Sequence, residues 1–145
     1  SMRDITLTYG FGTRLDMPYD AAVERVREAL ATEGFGVLTE IDVRATLKQK
    51  LDVEFRPYII LGACNPPLAH KALSTELDIG LLLPCNVIVY AADDEGSVVN
   101  VMDPVAALGL TGRDDIRPLA EDVRARMGRV VERLKTQTPS EPGEA

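Results

Sequence analysis

The sequence predicts one α+β domain of two layers, a mainly antiparallel sheet with helices over one face. Three observations point to it. Tyr58 to Ala63 is a continuous apolar run, and Cys85 to Tyr90 is apolar but for Asn86, as interior strands are. Asp93-Asp94-Glu95-Gly96 reads as a hairpin turn, which makes the strands on either side of it antiparallel. Apolar stripes at helical spacing flank these strands in sequence. Alternating strands and helices alone would suit a parallel sheet, and the hairpin argues against one.

At 145 residues the chain fits one domain, long enough to bury about 68–70% of its unfolded surface. Sixteen basic against 23 acidic residues leave a net charge of −7, with four Tyr, three Phe and no Trp. Nucleic acid wants a basic footprint and stacking surfaces, so this composition speaks against that partner. No apolar run approaches a membrane span, and no charged-then-apolar signal pattern opens the sequence. Ser1 ahead of Met2 reads as a remnant of tag removal. Cys64 and Cys85 form no C-x-x-C and are too few for a disulfide scaffold, so two reduced thiols in a cytoplasmic protein are expected.

Taken in order, Asp4 to Phe11 alternates, with Ile5, Leu7, Tyr9 and Phe11 on one face, and predicts a half-buried strand. Pro18 opens a helix whose stripe is Ala22, Val23, Val26, Ala29 and Leu30, and Gly34 is its left-handed stop. Val37 to Ile41 is the next strand. Asp42 then caps a helix from Val43 to Leu51, with Val43, Leu47 and Leu51 on one side and a basic, solvated face opposite. After the strand at Tyr58 to Ala63, Asn65 caps a helix begun by Pro66 and Pro67, with Leu68, Ala69, Ala72, Leu73 and Leu77 as its apolar face. Leu81 to Pro84 leads into the strand Cys85 to Tyr90, and the hairpin returns as Ser97 to Met102. Val105 to Leu108 is a helical turn closed by Gly109. The final helix, Pro118 to Lys135, carries Leu119, Val123, Met127, Val130, Val131 and Leu134 inward, and Gly128 within it suggests close approach of another element. The order is strand, helix, strand, helix, strand, helix, strand, strand, helix over residues 3–135. A polar tail from 136 to 145 is expected to be disordered.

The order and spacing of several short motifs resemble one family. They are Gly34-Phe35-Gly36-Val37, Ile41-Asp42-Val43, and Tyr58 through Ala63-Cys64-Asn65-Pro66 with Ala69. Gly80-Leu81-Leu82-Leu83-Pro84-Cys85-Asn86-Val87 and Asp103-Pro104 complete the set. Together they are similar to the prokaryotic family known as domain of unknown function 302, over nearly the whole folded part. The resemblance implies a compact two-layer α+β domain, often a homodimer. It implies no activity and hands over no catalytic residue.

Chemistry-bearing residues gather between Pro57 and Tyr90. Cys64 precedes a helix N-terminus, where backbone N–H groups and the helix dipole favour thiolate, although Pro66 and Pro67 remove two donors. Each cysteine is followed by asparagine, so Cys64, Asn65, Cys85 and Asn86 are expected at one end of the sheet, lining a small pocket or fixing turns. Asp103 before Pro104 either holds a turn or receives a polar ligand. Cys64, His70 and Cys85 are soft donors that zinc or copper accepts, but their spacing matches no known finger or ribbon. No P-loop, G-x-G-x-x-G, H-E-x-x-H or G-x-S-x-G occurs to support an enzyme reading, and the cofactor stays unknown.

The leading reading is a non-enzymatic cytoplasmic binding or interaction module, homodimeric, with a small-molecule pocket at the two Cys-Asn corners and neither nucleic acid nor membrane as partner. A thiol-dependent enzyme or sulfur carrier using Cys64 is the first alternative. A metal-binding protein using Cys64, His70 and Cys85 is the second.

Overall fold

The computed structural model describes residues 3–136. Six strands form one antiparallel sheet in the order β1-β2-β6-β5-β4-β3. They are β1 Asp4–Thr6, β2 Gly10–Leu15, β3 Gly36–Asp42, β4 Tyr58–Cys64, β5 Cys85–Ala91 and β6 Ser97–Met102. The helices are α1 Tyr19–Thr32, α2 Val43–Leu51, α3 Pro66–Thr75, α4 Pro104–Leu108 and α5 Arg117–Thr136. The predicted α+β class and the antiparallel β5–β6 hairpin are both present.

One face of the sheet carries the core. Ile59, Leu61 and Ala63 on β4, Val87 and Val89 on β5, and Val99 and Val101 on β6 are buried there against α1 and α5. The α1 stripe is buried as its spacing demands, and so are Val123, Met127, Val130, Val131 and Leu134 on α5. Each fully buried aliphatic side chain of this size contributes about 1.5–3 kcal/mol. Arg129 ties the two helices at their edge, its Nε donating to Glu33 Oε1 at 3.0 Å.

The other face is more open. Ile5, Gly12, Asn100, Ile88, Ile60 and Ile41 stand opposite one another on successive strands, forming one row across the sheet.

Several local expectations are corrected. Asp4 to Phe11 is not one strand: the chain turns between β1 and β2, with the Leu7 N–H donating to the Gly10 carbonyl at 2.8 Å. Alternation runs through the turn without a break, so period-2 reading passes over it. Leu7 and Tyr9 are exposed as a result. The α2 stripe is only half-buried at Val43 and Leu47 and exposed at Leu51, because α2 leans mainly on β3, an edge strand, and β4. Asp42 does cap α2, accepting from the Ala45 N–H at 2.9 Å.

The α3 helix ends at Thr75, and a 3-10 segment, Leu77–Leu82, follows it before the chain enters β5. Leu77 is therefore 81% exposed instead of part of α3's apolar face. Gly109 does close α4, in the right-handed region, and the chain continues as a 3-10 turn that ends at the left-handed Gly112. Gly128 has open space where a side chain would stand, so no element approaches it. The expected polar tail, 136–145, lies outside the described residues apart from Thr136, which closes α5.

Candidate functional site

The Cys-Asn corners are shaped by local sequence. Asn65 accepts from the Leu68 N–H at 3.4 Å and caps α3, with Pro66 and Pro67 in the first turn, where backbone donors have no helical use. Its Nδ2 also donates to the Glu33 carbonyl at 3.3 Å, fastening α3 to the end of α1. Gly34 permits this contact: it has φ +80°, and a Cβ there would lie 2.9 Å from Asn65 Nδ2.

Beside this corner α3 stands off the sheet and leaves a cavity of about 300 Å³. Phe35, Leu68, Ala72, Leu83, Leu119 and Val123 make most of its wall, and Cys64 and Cys85 are the sulfur atoms that line it. Leu38 and Leu73, both exposed side chains of the lining, mark its mouth. The wall is almost wholly apolar. Phe35 and Leu68 belong to the main core cluster and Ala72 to a smaller one, so the cavity lies where the two meet.

Both cysteines are free thiols. Cys85 is buried opposite Ala63 on β4, one residue before Cys64. Burial pushes the Cys85 thiol up from its ordinary 9.0 to about 11, and the neighbouring Cys64 adds to the effect. Cys85 is thus a neutral thiol at physiological pH, suited to an apolar wall rather than to nucleophilic attack. Cys64 is half-buried, and among the described residues it has no imidazole beside it.

The remaining sequence candidates are placed elsewhere. Asn86 does not join the cysteines: adjacent strand residues point to opposite faces, so it lines a depression on the open face of the sheet instead. His70 is exposed on the outer side of α3, in a shallow groove with Lys71, Ser74, Asp115 and Asp122. No group of three His, Cys, Asp or Glu side chains among the described residues could hold a metal ion.

Asp103 caps α4, accepting from the Val105 N–H at 2.9 Å and the Ala106 N–H at 3.4 Å through Oδ1. Its other oxygen accepts from Arg124 Nε at 3.1 Å, and the same guanidinium stands 4.9 Å from the Phe11 ring centroid. Both carboxylate oxygens are engaged within the fold. No helix among the described residues is long and apolar enough to cross a membrane.

Sequence reasoning treated Phe35, Leu68 and Leu83 as turn or core residues and overlooked Asn100. The one signal for Asn100 is its polarity within the run Val98-Val99-Asn100-Val101.

Comparison with known proteins adds the family. Residues 11–134 match the family described as domain of unknown function DUF302. A crystal structure of an uncharacterized conserved DUF302 protein from Bacillus stearothermophilus superposes with a TM-score of 0.81 at 27% identity, covering 88% of this chain and 99% of that one. No curated protein matches the sequence.

Proposed function

The chain belongs to the DUF302 family, and from the geometry of its site we propose that it is a non-enzymatic binding module for a small apolar molecule. The observation behind this reading is the cavity between α3 and the sheet. Its volume, about 300 Å³, lies at the lower end of ligand pockets, and its wall offers dispersion contacts with few polar groups to satisfy. The polar side chains in its lining are few: Thr39, Asn65 and the two thiols. Asn65 is held by Leu68 and Glu33, and Cys85 is protonated. A ligand here gains mainly from leaving water, at about 25 cal/mol per Å² of apolar area.

A homodimer and a cytoplasmic location belong to the same reading. The first rests on the family resemblance and is tested by light scattering at micromolar concentration, where a monomer removes it. The second rests on two free thiols.

The binding claim is tested by titrating indole into methyl-labelled protein. Methyl signals of Leu68, Leu83 and Val123 should shift, and Ala69→Phe, at another position of the cavity wall, should fill the space and abolish the shifts. Unmoved methyls at millimolar indole would sink the reading.

A further inference from the structure

The open face of the sheet presents a different problem. Asn100 lies in the middle of β6, between β2 and β5, and is only 8% exposed. Its Oδ1 is buried with no hydrogen-bond partner, the one such side-chain atom among the described residues. An unsatisfied buried acceptor is unfavourable, and an aliphatic residue of similar size would avoid the penalty. The neighbouring strand makes room for it. A Cβ on Gly12 would lie 2.4 Å from Asn100 Oδ1 and 1.8 Å from the Val99 carbonyl oxygen, so only glycine fits opposite this carboxamide.

Asn100 lines a depression of about 520 Å³, separate from the cysteine cavity and on the opposite side of the sheet. Ile88 and Met102 form its floor, Leu7, Tyr9 and Leu110 its exposed rim, and Asn86 adds a second carboxamide. No Asp, Glu, Lys, Arg or His among the described residues lines it.

We propose that this depression is a second ligand site, for a neutral and largely apolar molecule carrying an amide or lactam group. The absence of charged lining residues disfavours a carboxylate or ammonium, which would be desolvated without a counter-ion. A carboxamide presents a donor and an acceptor side by side, and only a group that does the same satisfies both at once. The ligand N–H donates to Asn100 Oδ1 while Asn100 Nδ2 donates to the ligand carbonyl. The terminal carboxamide torsion is soft, so Asn100 can turn both edges toward the depression. The apolar body of the ligand then covers Ile88 and Met102. This site goes beyond the binding reading above and does not depend on it.

The experiment is a titration of nitrogen-15-labelled protein with benzamide, compared with acetophenone, which keeps the carbonyl but lacks the N–H. Benzamide should shift the Asn100 side-chain NH2 signals and the backbone signals of Ile88 and Met102, and acetophenone should bind several-fold more weakly. Asn100→Val should reduce benzamide affinity about tenfold. Leu110→Ala, at an exposed rim position where folding is not at stake, should reduce it several-fold. The proposal is overturned by equal binding to Asn100→Val, by equal binding of the two probes, or by no binding at millimolar benzamide. It is also overturned by shifts confined to Phe35 and Leu68, which would place benzamide in the cysteine cavity. Open-face signals that move with protein concentration alone would assign the face to a second copy of the chain and equally overturn it.

Discussion

Asn65 Nδ2 donates to the Glu33 carbonyl at 3.3 Å, joining residues 32 positions apart, while its Oδ1 caps α3. One carboxamide thus sets both the start of α3 and its distance from α1, and that spacing bounds the apolar cavity. Asn65→Ala removes both bonds and should destabilise the protein by about 1–2 kcal/mol in urea denaturation. Asn65→Asp keeps the capping acceptor but loses the donor, so it should fall between wild type and Asn65→Ala. Equal loss in both variants would show that the contact to Glu33 carries the whole effect.

Cys85 provides a pH test. Its folded pKa, about 11, lies above the ordinary 9.0, so the folded state favours the protonated thiol. The resulting stability is fully present below pH 9 and is lost as pH rises toward 11, by about 2–3 kcal/mol. Urea midpoints measured across this window should drop less in Cys85→Ala than in wild type. Parallel curves for the two proteins would show that Cys85 ionises equally in the folded and unfolded chain.

Gly128 has no neighbour where a side chain would sit and lies within the longest helix, α5. Replacing it by alanine should raise stability by about 1 kcal/mol through helix propensity alone. Calorimetry should show a higher Tm; a lower one would reveal a close contact at this position.

Asp103 is engaged by α4 and by Arg124. Asp103→Ala should cost about 1–2 kcal/mol through the lost cap, whereas Asp103→Asn keeps a capping oxygen and should lose less. Arg124 is half-exposed, so Arg124→Ala should cost less than about 1 kcal/mol. Chemical denaturation of the three variants checks this order. An Arg124→Ala loss exceeding that of Asp103→Ala would move the weight from the cap to the ion pair and the Phe11 contact.

Much of this was legible from residue order. Asp42 and Asn65 announce their helices, and both caps are made. The α1 and α5 stripes are buried as spaced, and Gly34 takes the left-handed position at the end of α1. Asn86 was also readable in principle: a residue next to Cys85 in a strand must face the other way. The turn at Leu7 to Tyr9 was not, because alternation continues through it and no Asn-Gly or Pro marks the corner.

What the sequence determined by itself is therefore local: the α+β class, most of the elements, their caps and their inward faces. These follow from hydrophobic period and from the backbone needs of helix ends, which act over a few residues. Only the tertiary structure decided that α2 leans on an edge strand and stays largely exposed, that α3 stands away from the sheet and leaves a cavity, and that Asn100 Oδ1 ends buried beside Gly12 without a partner among the described residues. Each depends on which distant segments meet across the sheet, and burial at such meetings is a sum over long-range neighbours that no local pattern encodes.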